Sequence, residues 1–403
     1  MTDPRDRVPI RAADIKELNE RLVLGMVFRE SQASQSEVTV ASGLKAPTVF
    51  RIFGELEQAG LIAPVLSPPT LAADRKGRRP TWYSTVPGAY RVVGLDFRAG
   101  AASVVVEDFA ASVLYTEERQ IPLGAGADLA YAIVAGLAED ALERSPGGPL
   151  LGIGVGAPGV VDLAHGSVLE YMRIPGLSGF PLADMLEERF GAAVRMGNNA
   201  TVAALAAYRY GSACGPDCGD DHASPVPEST SAFALLVRSG VGGAFIRKGI
   251  PYESGGKTAL EIGHMTMDPT GPACPCGSQG CLEAYLSEDA LIASVNSRRP
   301  CRDFLTLDGL LEDRDATTIE ALGHAVAKAS VALLSIRHLL DPDEFIIISR
   351  SAALSTFIAG QTGAYVAAHP RPDGSAPVVR GYRWDPVLAG RAACDMVFDG
   401  FFA

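Results

Sequence analysis

Residues 261–283 read EIGHMTMDPTGPACPCGSQGCLE and carry the most specific chemical signature of the chain. The segment contains one histidine and three cysteines: His264, Cys274, Cys276 and Cys281. One imidazole and three thiolates are the ligand set of a closed tetrahedral zinc site, and Gly277 and Gly280 let the backbone turn sharply around an ion. Because four protein ligands leave no open position for a water, the segment predicts structural zinc. Free buried cysteines are the alternative.

The rest of the chain favours a metal over a disulfide framework. It has seven cysteines, and its charged N-terminal segment MTDPRDRVPIRAADIKELNERL has no apolar stretch typical of an export signal. Cys214 and Cys218, near His222, lie in the polar, Pro-rich segment 213–231, which we interpret as a surface loop with an incidental cysteine pair rather than a second metal site. No run of about 18 uncharged apolar residues predicts a membrane span. We therefore expect a cytoplasmic protein with no membrane partner.

Strands and helices alternate on both sides of the cysteine segment. Strands are predicted at 92–96 and 103–107, as a hairpin, and at 150–155, 233–237, 243–247 and 345–348. Helices are predicted at 129–144 and 181–190. This alternation over roughly 310 residues indicates an α/β region of two lobes, to which we assign residues 91–403.

Residues 1–90 differ in pattern and predict a winged helix-turn-helix. A first helix is predicted over 14–31, with an apolar side formed by Ile15, Leu18, Leu22 and Met26. Ser34 and Glu37 have capping-box spacing and open a second, short helix that ends near Ala41. Strand signals flank segment 67–80, which would be the wing.

A third helix, beginning near Lys45 after the turn Ser42-Gly43-Leu44, has the pattern of a recognition helix. Its apolar side is formed by Val49, Ile52, Phe53 and Leu56. The open side carries residues that we assign to DNA binding: Lys45, Pro47, Thr48 and Arg51. Arg51 can read a guanine or grip a phosphate, and Lys45 and Thr48 suit phosphates. Phe50, also on the open side, either meets thymine methyl groups or packs on the wing.

The wing and the charge distribution support DNA binding. Lys76, Arg78 and Arg79 lie on a narrow Gly- and Pro-containing stretch that fits an A·T-rich minor groove; a solvated loop is the alternative. Residues 1–91 hold 13 Lys and Arg against 10 Asp and Glu, although the whole chain has a net charge of −12. We therefore expect the acidic body to repel DNA and to leave the contact to the basic front.

Four segments resemble the ROK family, which comprises repressors, open reading frames and sugar kinases: GVGAPGVVD (154–162), GNNATVAALAA (197–207), SGVGGAFIRKGIPY (239–252) and the cysteine segment. The resemblance covers nearly the whole chain and includes the GRRP wing of the NagC/XylR-type repressor branch. It implies a winged helix-turn-helix followed by a two-lobed, actin-like domain, a duplicated ribonuclease H-like fold around a sugar cleft. It also implies a homodimer or homotetramer on double-stranded operator DNA.

The same resemblance predicts that kinase chemistry is lost. Where the family's kinases carry an Asp-x-Gly-Gly-Thr phosphate loop, this chain has Asp96-Phe97-Arg98-Ala99-Gly100. Asn199 stands at the position of the catalytic Asp, and an amide cannot act as the general base for a sugar hydroxyl. The adenine loop corresponds to Ser349-Arg350-Ser351, and Ala244 replaces the last Gly of the second phosphate loop. We therefore expect no catalytic residue.

The sugar-binding residues of the family are better retained. The resemblance implies that an effector, a sugar or sugar phosphate, contacts Asn198, Asn199, Glu261, His264 and Glu283. One ring nitrogen of His264 would hold the metal while the other faces the ligand. Three departures indicate a non-standard ligand, because an Asn, a Glu and a Gly of the family are replaced by Gly176, Gly197 and Leu260.

Three functions are compatible with these patterns. The first is a sugar-responsive transcription regulator that acts as a repressor of carbohydrate-related genes. The second is an ATP-dependent, glucokinase-like sugar kinase with an appended DNA-binding module. The third is a DNA-binding regulator controlled by a protein partner, with an empty sugar cleft.

Overall fold

The computed structural model describes residues 12–65, 80–211, 230–253, 256–258, 260–298, 307–312 and 315–403. Its N-terminal part contains three helices and three short strands: α1 (Ala12–Arg29), β1 (Ala33–Ser34), α2 (Gln35–Ser42), α3 (Ala46–Gln58), β2 (Ile62–Pro64) and β3 (Trp82–Thr85). The strands form an antiparallel sheet in the order β1-β3-β2. This is the winged helix-turn-helix that the sequence predicts; the wing residues Lys76, Arg78 and Arg79 lie outside the described residues.

Local interactions explain where α2 and α3 begin. The Ser34 side chain accepts a hydrogen bond from the backbone N–H of Glu37, and the Glu37 carboxylate accepts one from the backbone N–H of Ser34, which confirms the capping box. Gly43 follows α2 in the left-handed conformation with φ of 69°, and Pro47 lies in the first turn of α3. The apolar side predicted for α3 is buried throughout.

The prediction for α1 is wrong in one respect. The helix forms, but Ile15, Leu18 and Leu22 are exposed by 51%, 52% and 39%, whereas Val23 and Val27 are fully buried. The buried side is set by the tertiary contacts of the C-terminal half of α1, which packs on α3, β3 and the last helix of the chain. Spacing alone could not separate these two sides, since α1 has apolar residues on both.

The first lobe is built on a five-stranded sheet. Its elements are β4 (Arg91–Arg98), β5 (Ala101–Asp108), β6 (Val113–Gln120), α4 (Ala127–Arg144), β7 (Leu150–Ala157), β8 (Val160–Asp162), β9 (Ser167–Glu170), α5 (Leu182–Phe190), β10 (Ala193–Asn198) and α6 (Asn199–Tyr210). The strand order is β10-β7-β4-β5-β6, in which β4, β5 and β6 form an antiparallel meander and β7 and β10 run parallel to β4.

The second lobe repeats this plan. Its elements are β11 (Ser231–Val237), β12 (Val241–Arg247), β13 (Ile250–Pro251), β14 (Lys257–Thr258), α7 (Glu283–Leu286), α8 (Glu288–Arg298), α9 (Leu307–Glu312), α10 (Ala316–Leu340), β15 (Glu344–Ser349), α11 (Ala352–Ala367), β16 (Val378–Arg383) and α12 (Pro386–Phe402). The strand order β13-β12-β11-β15-β16 again places a meander beside two parallel strands. The predicted strands and helices of both lobes are confirmed, and the two sheets show the duplicated ribonuclease H-like fold.

Helices α6 and α12 join the lobes. Each follows the last strand of one sheet and packs on the other: α6 on β11 and β12, and α12 on β4, β5 and β7. The α12 backbone lies directly on the first sheet, because a Cβ atom built on Gly94 would be 1.9 Å from the carbonyl oxygen of Gly390 and one on Gly154 would be 1.8 Å from that of Ala393. Only glycine permits this approach.

The C-terminal end of α12 also completes the core of the N-terminal module. Phe28 of α1 contacts Phe398 and Phe402, with ring centroids 4.6 and 4.9 Å apart. Phe109, at the end of β5, contacts the same rings. One apolar cluster therefore connects the helix-turn-helix to the first lobe and to α12.

Helix α10 is long and apolar enough to cross a membrane by length and composition alone. Half of its apolar window is buried, and it supplies core residues of the second lobe that include Ala325, Leu333 and Ile336. Its apolar character is therefore explained by packing within the core of the second lobe, where it contacts α7, α8 and α11.

Candidate effector cleft, metal centre and DNA interface

A cavity of about 360 Å³ lies between the lobes and is lined by residues of both. Asn198 and Asn199, Glu261, His264 and Glu283, which the sequence assigns to effector binding, all line it. The structure thus brings together residues that are far apart in sequence: Asn198 and Glu283 are separated by 85 positions. The volume is in the range of small-molecule sites, about 300–1,000 Å³.

The predicted metal ligands form one cluster. The four ligand atoms of His264, Cys274, Cys276 and Cys281 lie within 4.8 Å of one another. The Sγ atoms of Cys276 and Cys281 are 3.7 Å apart, and Cys274 Sγ is 3.6 Å from His264 Nδ1. Ligands about 2.3 Å from a central zinc ion would lie roughly 3.8 Å apart on a tetrahedron. The cluster therefore fits a tetrahedral metal ion.

Short turns position these ligands. His264 ends a 3-10 turn over Ile262–His264, and an isolated bridge between Thr266 and Cys281 closes the far side of the segment. Gly280 has φ of 64°, and a Cβ atom there would lie 1.6 Å from the Asp268 carbonyl oxygen. The glycine is required by this close approach, as well as by the turn that the sequence predicts.

His264 connects the metal cluster to the cleft. Its Nδ1 atom faces Cys274, while its Nε2 atom lies 3.6 Å from Oε2 of Glu261. Burial raises the pKa of Glu261, and the neighbouring imidazole opposes that shift. A metal held on Nδ1 would fix the ring plane and thereby position the Nε2 side toward a ligand.

The two asparagines occupy the start of α6. The Asn198 oxygen accepts a hydrogen bond of 2.7 Å from the backbone N–H of Ala200, and its Nδ2 donates to the carbonyl of Gly159. The Asn198 amide thus caps α6 and ties it to Gly159, the residue that precedes β8 on the wall of the cleft. Asn199 is the first residue of α6 and faces the cavity.

Glu283 supports the turn between β11 and β12. Its Oε2 atom accepts a hydrogen bond of 2.9 Å from the backbone N–H of Val241, and Oε1 lies 3.7 Å from an Nη of Arg173. Arg173 also donates to the carbonyl of Ser239 and lines the cavity. Sequence analysis missed Arg173, because a lone arginine in a loop carries no pattern.

Sequence analysis also missed a buried charge pair, of which Arg238 lines the cavity and Asp96 lies beside it. Asp96 and Arg238 are each 3% exposed, with Asp96 Oδ2 3.7 Å from Nη1 of Arg238. Burial raises the pKa of Asp96 to about 6, although the nearby guanidinium groups of Arg238 and Arg98 oppose the shift. Arg238 stacks on Trp384, its guanidinium carbon 4.1 Å from the ring centroid. The sequence signals were Asp96 at the start of the altered phosphate loop and an arginine between a strand and the glycines of the second phosphate loop, with nothing to show that the two side chains meet.

The open side of α3 is the candidate DNA interface. Lys45, Pro47 and Arg51 are exposed and Thr48 is partly exposed, as an interface requires. Nη1 of Arg51 donates to both carboxylate oxygens of Glu55, each at 2.7 Å. Arg51 must therefore leave Glu55 to reach a base or a phosphate. Phe50 is 69% exposed, so its apolar ring is available to a partner of this surface.

Comparisons with known proteins agree with this architecture. A xylose repressor of Caldicellulosiruptor bescii is 24% identical over 285 residues, which are 70% of this chain and 66% of that protein. The DNA-binding transcriptional dual regulator NagC of Escherichia coli K12 is 26% identical over 279 residues, 69% of this chain and 64% of NagC. The chain thus spans about two thirds of the length of these relatives.

Solved structures give the same result. The crystal structure of a ROK family transcriptional regulator, a homologue of E. coli MLC protein, has a TM-score of 0.76 at 18% identity and covers 96% of this chain and 98% of its own. A ROK hexokinase from Thermus thermophilus has a TM-score of 0.59 at 26% identity, covering 76% of this chain and 97% of its own. The family model for the ROK family matches residues 92–352. The chain therefore belongs to the ROK family.

Proposed function

We propose that this protein is a sugar-responsive transcription regulator, a repressor of carbohydrate-related genes that binds double-stranded operator DNA. One observation carries the proposal: a helix-turn-helix with an open recognition helix shares an apolar core with the ROK fold, whose cleft is lined by Asn199, Glu261 and Glu283. The names of the xylose repressor and NagC support the same function. Residues 1–90 would form the DNA-binding domain and residues 91–403 the effector domain, in the cytoplasm.

The cleft would bind the effector through side chains that make hydrogen bonds to hydroxyl groups. Glu261 and His264 would contact the sugar on one wall and Asn199 on the other, while Asn198 and Glu283 would hold the surrounding backbone. An amide at position 199 can donate to and accept from a hydroxyl but cannot remove its proton, so a bound sugar would stay unphosphorylated.

Zinc would be the ion held by His264 and the three cysteines. The sulfur-rich ligand set suits zinc, and four protein ligands complete a tetrahedron. Its contribution would be structural: it would fix the loop that carries His264 beside Glu261. The proposed role of the metal is therefore to orient a sugar contact.

Helices α6 and α12 provide the route from the cleft to the DNA-binding module. The start of α6 lines the cleft, and its C-terminal end is tied to α12, since Arg209 Nη1 lies 3.0 Å and Tyr210 Oη 2.8 Å from Asp395 Oδ2. The end of α12 packs on Phe28 of α1. A ligand that favours the state released from the operator by about 3 kcal/mol would weaken DNA binding roughly 150-fold.

A homodimer or homotetramer would present two helix-turn-helix modules to an operator. The exposed apolar row of Ile15, Leu18 and Leu22 on α1 supports contact with a second copy, because it has no cover within the described residues. Dimeric modules place their recognition helices about one DNA turn apart, so a palindromic operator is expected.

The experiment that tests the function is selection of bound sequences from random DNA, followed by operator binding with and without a panel of neutral and phosphorylated sugars. A defined palindrome whose affinity drops with one sugar supports the proposal. Sequence-independent binding, or an affinity that no sugar alters, refutes it; in the second case control by a protein partner becomes the better explanation. Replacement of Arg78 and Arg79 should weaken binding and reduce its salt dependence.

The 26% identity to a hexokinase favours one alternative, an ATP-dependent sugar kinase with an appended module. A coupled assay of ATP turnover with a hexose panel distinguishes the two. We expect no turnover above the rate without sugar. Turnover that disappears in Glu261→Ala would overturn the non-enzymatic proposal.

A further inference from the structure

Phe50 is a large apolar residue on the open side of α3. It is 69% exposed, whereas the apolar residues on the other side of the helix are all buried: Val49, Ile52, Phe53 and Leu56. Single exposed apolar residues are common on protein surfaces, so the exposure alone does not define a site. The position of Phe50 is more informative, because it lies in the first half of a recognition helix, on the side that a helix-turn-helix places in the major groove.

Gly54 lies one helical turn after Phe50, on the same open side of α3. It is exposed in the interior of a helix, where glycine in place of alanine lowers the folding equilibrium constant about fivefold. A Cβ atom built on Gly54 would have nothing within 4 Å among the described residues, in contrast to one on Gly94 or Gly154. No contact within the described part of the chain therefore requires glycine at this position. A glycine on an exposed helix side does, however, let the backbone approach a partner closely.

The charges along α3 favour a nucleic acid as that partner. Residues 45–54 contain Lys45 and Arg51 and no acidic residue, and the N-terminal end of a helix carries a partial positive charge. The acidic residues Glu55 and Glu57 follow in the last turn of the helix. The half of α3 that carries the exposed ring is therefore the half that the phosphates of DNA attract.

We propose that Phe50 reads the C5-methyl group of a thymine in the major groove, and that Gly54 lets α3 come close enough for this contact. The inference rests on the proposed function and adds an apolar base contact to the polar contact assigned to Arg51. Among the four bases, only thymine presents a methyl group in the major groove, so an apolar contact there distinguishes T·A from the other base pairs. Long side chains in a helix lean toward its N-terminus, which is the end of a recognition helix that meets the bases.

The test removes only the thymine methyl group. The full-length protein first selects a duplex from random DNA, and this duplex is then synthesised with deoxyuridine in place of thymidine at one T·A pair at a time. Uracil pairs with adenine as thymine does but lacks the methyl group. We expect one or two positions at which uracil weakens binding about fourfold, the effect of exposing one buried methyl group. Fluorescence anisotropy at a fixed salt concentration measures the affinities.

Phe50→Ala assigns this discrimination to the ring. The variant should bind the thymine duplex about tenfold more weakly than the unaltered protein does, and it should bind the thymine and uracil forms equally. Val40→Ala is the matched control, because Val40 is another apolar residue of the module, 85% exposed on α2. It should retain both the affinity and the discrimination. Arg51→Gln should weaken binding of both forms by the same factor.

Gly54→Ala should have opposite effects on folding and on DNA binding. Alanine favours the helix and would meet no described atom within 4 Å, so the melting temperature should rise. The added methyl group should hold α3 away from the groove and weaken binding of the selected duplex severalfold. Gly323→Ala on α10 also has nothing within 4 Å and should stabilise the protein without changing DNA binding. Unchanged or tighter binding in Gly54→Ala would contradict the close approach.

The remaining outcomes separate this inference from the proposed function. If uracil changes the affinity at no position, or if Phe50→Ala keeps the discrimination, the thymine contact is wrong while the DNA-binding function stands. If Phe50→Ala keeps the discrimination and also melts at a lower temperature or sediments differently, the ring packs within the protein or on a second copy. If the full-length protein selects no sequence from random DNA, the proposed function fails and this inference fails with it.

Discussion

At the scale of single residues, the side chains proposed to contact a ligand also hold the local structure. Asn198 caps α6, Glu283 holds the turn before β12, and His264 faces the metal cluster with one nitrogen and Glu261 with the other. A change at any of these positions would alter the backbone as well as a contact. The informative substitutions are therefore those that change one chemical property at fixed geometry.

Cys276 offers such a test of the metal centre. It is exposed, so Cys276→Ser opens no cavity in a core. Because a serine hydroxyl is a much poorer zinc ligand than a thiolate, we expect the purified variant to contain little zinc and to unfold at a lower temperature. Elemental analysis by mass spectrometry measures the metal. The control is Cys394→Ala, which removes a thiol outside the cluster and should keep the zinc; equal zinc content in both variants would refute the site.

Asp96 predicts a pH dependence of stability. Burial raises its pKa from 3.8 to about 6 in the folded protein, so the native state holds this proton more tightly than the unfolded chain. The raised pKa of Asp96 therefore adds to the free energy of unfolding in full below pH 4, and this added stability is lost as the pH rises to about 6. The change is about 3 kcal/mol. Asp96→Asn should remove this component.

Urea unfolding at intervals from pH 4 to pH 7 measures the difference. The exposed Asp128, changed to Asn, serves as the control and should retain the pH dependence of the unaltered protein. A parallel pH profile in Asp96→Asn and Asp128→Asn would show that Asp96 is not the group responsible.

At the scale of elements, α3 is determined by a local sequence pattern, whereas the position of α12 across the first sheet is determined by contacts with distant residues. Helix α3 follows from a local pattern, in which one apolar side packs and the other stays open. The position of α12 depends on glycines in two strands that are remote from it in sequence. Only α3 could therefore be predicted from its own segment.

The ion pair between Arg51 and Glu55 on α3 predicts that substitutions of its two members change operator affinity in opposite directions. Arg51→Gln should weaken operator binding by about tenfold to a hundredfold and relax sequence preference at one position, as expected for loss of a base contact. Glu55→Gln should strengthen binding, because it frees Arg51 and removes a negative charge near DNA.

Fluorescence anisotropy with labelled operator measures both effects. The matched control is Arg21→Gln, which breaks another pair with four-residue spacing, Arg21 with Glu17 on α1. If Arg21→Gln weakens binding as much as Arg51→Gln does, the effect is general electrostatics and the recognition assignment is wrong.

Gly154 tests the close contact of α12 with β7. A methyl group there would collide with the Ala393 carbonyl, so Gly154→Ala should destabilise the protein by about 3 kcal/mol or more, or prevent soluble expression. Gly323→Ala in α10 is the control, because nothing lies within 4 Å of that position and alanine favours a helix by about 1 kcal/mol. Equal melting temperatures of the two variants would contradict the contact.

At the scale of the whole molecule, the apolar cluster around α12 predicts how effector and DNA are coupled. Phe28→Leu keeps most of the apolar volume but loses ring contacts with Phe398 and Phe402. We expect the effector to bind with unchanged affinity while its effect on operator affinity falls severalfold, because we propose that the coupling between the two sites passes through this contact.

Calorimetry with the effector and anisotropy with the operator measure the two quantities separately. Phe190→Leu is the control, since Phe190 is similarly half-buried but lies at the end of α5, away from the module. Full effector response in Phe28→Leu would exclude this route.

Much of the fold could be predicted because its signals are local. Hydrophobic periodicity located α3 and six of the ten strands of the two five-stranded sheets, but it did not locate β6, β10, β13 and β16. The Ser34–Glu37 spacing located the start of α2, and the four candidate metal ligands lie within one short segment. The cleft residues Asn199, Glu261 and Glu283 were found by resemblance, because each stands in a recognisable motif. Their convergence on one cavity confirms that the motifs face each other.

The sequence by itself determined the alternation of elements, the capping of α2, the candidate metal-ligand set and the amide at position 199, since each depends on neighbours along the chain. Only the tertiary structure decided which side of α1 is buried, that α12 joins the module to the first lobe, and that Arg98 and Arg238 share a cavity with Asp96 beside them. The physical reason is that burial and charge pairing are set by packing between residues hundreds of positions apart, and no local pattern records which distant surfaces exclude water from a side chain.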